Sequence, residues 1–120
     1  MSYTIYATAS FQKYYDGLDQ NEQGWIDQIK KQLEQNVTGK VLRFIWFREK
    51  KYLNKRLYYL IDELTKKILF ISFAPKKDQK EMIKYIIKNM EELLNYLRGL
   101  WFEPAYSAML KILEAGFNLK

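Results

Sequence analysis

The sequence predicts an α+β domain of element order β-α-α-β-β-β-α, with a small, mainly antiparallel sheet packed by helices and an extra C-terminal helix. Three observations predict it. Apolar residues recur at helical spacing over residues 20–35 behind an Asp N-cap. Apolar and aromatic runs crowd residues 41–74 with only short gaps between them. Helical spacing returns after Pro75. A chain of 120 residues suits one core rather than two.

Residues 3–8 alternate as a strand, with Ile5 and Ala7 opposite Tyr6. Ser10 is a candidate N-cap for a short helix to Leu18. Asp19 is a second N-cap, followed by Trp25, Ile26, Ile29 and Leu33 on one face of a helix over 20–35. Gly39 marks the turn out. Three strands are expected next, at 41–47, 55–62 and 67–74, the last two joined by a hairpin-length gap at 63–66. The basic stretch 48–54 is expected to connect the first pair.

Pro75, which cannot donate to a ladder, ends the third of these strands. Asp78 and Glu81 have capping-box spacing, so a long helix should follow. Its buried stripe is expected at Ile83, Ile87, Met90, Leu94 and Leu97, with Lys77, Lys80, Lys84 and Lys88 on another face. The division expected is a domain over 1–97 and an amphipathic helical extension over 98–120. Pro104 opens that extension's helix, which carries Tyr106, Met109, Leu110, Leu113 and Phe117.

Charge is segregated. Residues 38–88 hold fourteen Lys and Arg against five Asp and Glu, whereas 1–37 and 89–120 are each slightly acidic. Such a field attracts polyanions, nucleic acid first among them. The chain has no cysteine and no histidine, which excludes disulfides, thiolate metal sites and the usual imidazole proton shuttle. No cofactor or metal is expected. The start, Met1-Ser2-Tyr3-Thr4, lacks signal-peptide character, and no apolar run approaches the ~20 residues that cross a bilayer. The expectation is a soluble, cytoplasmic protein without a membrane partner.

The element order resembles that of the RelE/ParE superfamily of toxins from type II toxin–antitoxin systems. So do four stretches, 39–43 (Gly-Lys-Val-Leu-Arg), 48–51 (Arg-Glu-Lys-Lys), 55–59 (Lys-Arg-Leu-Tyr-Tyr) and 71–79 (Ile-Ser-Phe-Ala-Pro-Lys-Lys-Asp-Gln). The resemblance spans about residues 3–96. It implies a small toxin neutralised by an acidic antitoxin. The RelE branch cleaves mRNA on the ribosome and the ParE branch inhibits DNA gyrase. The RelE reading is favoured, as a metal-independent endoribonuclease; the runners-up are a ParE-like gyrase inhibitor and an inactive homologue that only binds antitoxin or nucleic acid.

On this resemblance Arg56 matches the arginine set on the scissile phosphate, and Lys77 falls where an arginine supports the leaving group. Arg43 matches a basic strand residue, and Arg48, Lys50 and Lys51 match a basic connection. The family's tyrosine would fall at Ile83, so Tyr85 is a displaced substitute.

Cutting RNA without metal uses the 2′-hydroxyl as nucleophile, which requires charge stabilisation on the phosphorane and two proton transfers. Arg56 and Arg48 suit the first task by their bidentate geometry. Lys50, Lys51 or Lys77 suit proton transfer, with Glu49 as a carboxylate candidate. Lys55, Lys76 and Lys80 extend the RNA-binding surface, and Tyr58, Tyr59 or Tyr85 could stack on a base. The pocket is expected between the 48–54 connection, Arg56 and the turn at 76–77. The extension at 98–120 is expected to pack on its own domain or to pair two copies as a homodimer.

Overall fold

The computed structural model describes residues 2–99. Its elements are β1 (Thr4–Ala7), α1 (Ala9–Asp16), α2 (Gln20–Gln35), β2 (Lys40–Val41), β3 (Phe47–Tyr52), β4 (Lys55–Asp62) and β5 (Lys67–Pro75). A 3-10 turn (Lys76–Asp78), α3 (Gln79–Lys88) and α4 (Met90–Arg98) follow. The sheet order is β1-β5-β4-β3-β2, with β1 parallel to β5 and every other pair antiparallel.

The first helix starts two residues earlier than expected. Thr8 rather than Ser10 caps it, its Oγ1 accepting from the Phe11 N–H at 3.0 Å. The Asp19 cap of α2 holds, and Glu22 completes a reciprocal capping box. α1 and α2 cover one face of the sheet, where Phe11, Ile26, Ile29 and Leu33 pack on Leu57, Tyr59, Ile61, Ile68 and Phe70. α3 and α4 cover the other, where Met82, Ile86, Leu93 and Leu97 pack on Phe47, Tyr58, Leu60 and Leu69.

The region 38–54 departs most from expectation. Of the strand expected at 41–47 only its two ends pair, Val41 in the short β2 and Phe47 as the first residue of β3, and between them lies a turn closed by Phe47 N–H to Phe44 carbonyl. The basic stretch expected as a connection is itself β3, joined to β4 by a tight turn at Leu53-Asn54. Alternation explains the difference: Phe47, Glu49 and Lys51 share one face, while Arg48, Lys50 and Tyr52 share the other. The charged side chains hid that period of two. Gly39 has φ +117°, and a Cβ there would run into the Tyr59 ring, whose hydroxyl donates to the Thr38 carbonyl.

The long helix expected after Asp78 also changes. Asp78 makes no side-chain cap, because the chain first passes through the 3-10 turn. At Asn89 the helix breaks, with Asn89 Nδ2 donating to the Tyr85 carbonyl at 2.9 Å and sharing that acceptor with its own backbone N–H. The break shifts the buried stripe to Met82, Ile86, Leu93, Tyr96 and Leu97. The helical extension expected beyond Pro104, and the homodimer through it, lie outside the described residues. Among the described residues no helix is long and apolar enough to cross a membrane.

Candidate active site

β4 carries an arginine into a buried row. Arg56, Tyr58 and Leu60 point to the α3 face, and Arg56 is only 7% exposed. An unpaired guanidinium there would be costly, and Glu49 answers it from β3. Arg56 Nε lies 3.8 Å from Glu49 Oε2, and Nη1 donates to the carbonyls of Lys55 at 3.0 Å and Leu53 at 3.3 Å. Leu53 sits at φ +54°, a strained conformation for a residue with a Cβ. Guanidinium has five donors, so the two on Nη2 make no hydrogen bond among the described residues.

Glu49 is held from a second direction. Gln79, the first residue of α3, donates through Nε2 to Glu49 Oε1 at 2.7 Å. Tyr58 lies opposite both Glu49 on β3 and Ser72 on β5, and the Tyr58 and Ser72 hydroxyls are buried without a hydrogen-bond partner. Burial, reinforced by the Glu49 charge, pushes the Tyr58 hydroxyl well above the ordinary tyrosine range, so it stays protonated.

Cations ring this cluster on one side. Lys51 is the cross-strand neighbour of Arg56, on the same face. The Lys76 N–H donates to the Asn54 carbonyl at 2.7 Å, which ties the turn carrying Lys76 and Lys77 to the β3–β4 turn. Lys80 follows Gln79 by one residue. Lys51, Lys76, Lys77 and Lys80 are all exposed. The structure therefore assembles Arg56, Lys51, Glu49 and the 76–80 segment at one end of the sheet.

It does not bring the rest of the expected set there. Arg48 and Lys50 face α2, opposite Tyr59 and Leu57 respectively, because a strand alternates. Arg48 Nε donates to the Ile45 carbonyl at 3.0 Å. Lys55 also turns to the α2 face, paired with Glu22 and 5.2 Å from the Phe73 ring centre. Arg43 is exposed in the turn at the far end of β3 from Arg56. Tyr85 packs into the α3–α4 core, where burial, with the Glu92 charge adding to it, pushes its hydroxyl up to about 12. Gln79 and Ser72 lie in the matched stretch 71–79, but the sequence reading gave neither a role at the site. A period-two reading of 47–52 would have placed Glu49 and Lys51 beside Arg56.

No protein-family model matches the chain, and no curated protein matches it in sequence. Solved structures do. The RelBE2 toxin–antitoxin complex from Mycobacterium tuberculosis aligns with TM-score 0.54 and 18% identity, over 62% of this chain and 99% of that one. The isolated E. coli RelE toxin aligns with TM-score 0.56 and 14% identity, over 71% of this chain and 99% of that one. The chain has the RelE fold. A mutant E. coli RelE in the free state aligns better still, with TM-score 0.59 and 13% identity over 67% of this chain and 90% of that one. The RelE-like sheet thus presents Glu49, Arg56 and Lys51 on the face it shares with α3.

Proposed function

We propose that this RelE-like chain is the toxin of a toxin–antitoxin pair and acts as a metal-independent endoribonuclease on mRNA at the ribosome. The observation that carries the reading is the Glu49–Arg56 pair, set among exposed lysines with two arginine donors uncommitted. The fold likeness to RelE toxins, one of them solved with its antitoxin, supports the toxin assignment and an acidic antitoxin as partner.

In this reading a phosphate oxygen docks on Arg56 Nη2, and Lys51 adds positive potential beside it. Glu49 takes the proton from the 2′-hydroxyl, whose oxygen attacks phosphorus. The P–O5′ bond breaks as Lys51 or Lys77 gives a proton to the leaving oxygen. The products are a 2′,3′-cyclic phosphate and a 5′-hydroxyl. Gln79 holds the Glu49 carboxylate so that Oε2 remains the basic oxygen. One well-placed donor to developing negative charge is typically worth ~3 kcal/mol, about two decades of rate.

The test is primer extension on a reporter message in a translating extract, with the 3′ ends analysed by mass spectrometry. Cuts that end in a cyclic phosphate and disappear with Arg56→Ala support the reading. Intact message at toxin concentrations that arrest growth would contradict it.

A further inference from the structure

Exposed apolar residues gather at the end of the sheet opposite Arg56. Val41, Phe44 and Ile45 lie in or beside the β2–β3 turn, and Leu64 lies in the β4–β5 turn; Ile45 is 72% exposed and Leu64 88%. The register sets the two turns side by side. Phe47 pairs with Leu60, the Ile61 N–H donates to the Trp46 carbonyl at 2.8 Å, and β4 ends one residue later at Asp62. The Phe44 ring stacks on Trp46, nearly parallel with centres 4.7 Å apart. Trp46 in turn joins Leu42 and Leu94 at the half-buried margin of the core under α4. Apolar surface therefore runs from that margin out to the tips of both turns.

α4 ends at this surface. Arg98 Nε lies 3.4 Å from Asp62 Oδ2, and Asp62 follows Ile61, the residue bonded to Trp46. Neighbouring strands lie only about 5 Å apart, so α4 delivers the chain close to the Phe44–Trp46 stack. The sequence that comes next opens with Leu100-Trp101-Phe102 and runs to Lys120. Tyr106, Met109, Leu110, Leu113 and Phe117 fall on one arc of a helical wheel, and Ser107, Lys111 and Glu114 fall away from it. An amphipathic stretch of this kind needs an apolar surface to cover, and one lies where α4 releases it.

We infer that the patch formed by Val41, Phe44, Ile45 and Leu64 is an intramolecular docking site, and that its occupant is residues 100–120 of the same chain. The inference is independent of the nuclease reading, since the patch and Arg56 lie at opposite ends of β4. A second copy fits the patch less well. Four apolar side chains at two turn tips are few beside the ~20–30 residues a side of a stable interface between proteins. A tethered segment needs less contact, because its effective concentration beside the patch is on the order of millimolar. Docked there, the segment shields the two turns from water and holds α4 against the sheet from its C-terminal end.

The experiment uses the full chain. The rate of trypsin cleavage after Lys111 under native conditions, followed by mass spectrometry, reads whether the segment is covered. Ile45→Asp combined with Leu64→Asp should raise that rate about tenfold, by raising the fraction of chains in which the segment is open. Phe117→Asp should raise it similarly from the segment's own side. Tyr14→Ser, which removes an exposed aromatic ring on α1, should leave it unchanged. Ile45 and Leu64 are exposed, so the sheet does not depend on them, and amide exchange across β4 and β5 checks this. Equal cleavage rates in the wild type and the double variant would overturn the docking site.

The photocrosslinking variant Ile45→p-benzoylphenylalanine identifies the occupant. Irradiation should join position 45 to residues 100–120 within one chain, at the mass of the monomer and independently of protein concentration. Crosslinks between two chains that rise with concentration would put a second copy on the patch and overturn docking within one chain. Crosslinks confined to residues 2–99 would overturn it as well. Neither result bears on the nuclease reading, which stands or fails on the cut message alone.

Discussion

The two ends of the β4–β5 hairpin both bury charge, and they do so differently. At the turn end, Asp62 is 2% exposed and Lys67 is 1% exposed. Thr65 Oγ1 donates to Asp62, Arg98 Nε lies 3.4 Å from it, and Lys67 Nζ donates to the Leu97 carbonyl at 3.1 Å. That last bond closes the C-terminus of α4, where orphan carbonyls would otherwise remain. At the open end, Arg56 and Glu49 are also buried, though less deeply, and Nη2 and the hydroxyls of Tyr58 and Ser72 lack partners among the described residues. Exposed Lys51, Lys76, Lys77 and Lys80 crowd this end. Buried charge with its valences filled fastens helices to sheets; buried charge with valences open, beside free cations, is arranged for something that arrives later.

Substitutions at the two ends should therefore separate activity from stability. Arg56→Ala should lower the cleavage rate by about 10²–10³-fold, the loss expected for one preorganised donor. Asp62→Asn should cost about 3 kcal/mol in urea unfolding by stranding its cationic partners, with the rate per folded molecule unchanged. Equal activity losses at both ends would dissolve the distinction. Gly39→Ala should destabilise by about 2–3 kcal/mol, because φ +117° and the Tyr59 ring both exclude a methyl group. A chain of unchanged melting temperature would show that the 38–41 corner can relax.

The open end was partly legible in the sequence. Arg56 at the head of an apolar run flagged itself, since β4 beyond Lys55 is otherwise Leu, Tyr, Ile and a terminal Asp. α2 was legible to the residue because Asp19 and Glu22 fix its start by local chemistry. β3 was not. Phe47-Arg48-Glu49-Lys50-Lys51-Tyr52 has no apolar alternation, and it is a strand only because β4 offers a ladder beside it. Misreading that strand as a connection merged Arg48 and Lys50 with Lys51, although the pleat sends them to opposite faces. The break at Asn89 comes where its side chain shares the Tyr85 carbonyl with its own backbone N–H, which periodicity alone does not reveal.

Two smaller effects sharpen the comparison. Gln79→Ala removes the 2.7 Å bond to Glu49 and should lower the single-turnover rate about tenfold by loosening the base, with little change in unfolding free energy. An unchanged rate would leave Gln79 a structural link only. At the turn end, burial lowers the pKa of Lys67 from 10.5, against the opposing Asp62 charge. The folded chain then binds fewer protons than the unfolded chain between the lowered value and 10.5. Stability should accordingly rise with pH through that window. Lys67→Met should lack this rise, so the difference in unfolding free energy between wild type and variant should grow in favour of wild type as pH approaches 10.5. A difference independent of pH would mean that Lys67 is no less basic folded than unfolded.

The most direct test is a crystal structure of the wild-type chain with an uncleavable 2′-O-methyl oligoribonucleotide. The account predicts a phosphate oxygen about 3 Å from Arg56 Nη2, with the blocked 2′ oxygen turned toward Glu49 Oε2. A strand bound on the exposed lysines alone, with no phosphate at Arg56 and the Arg56–Glu49 pair undisturbed, would contradict it.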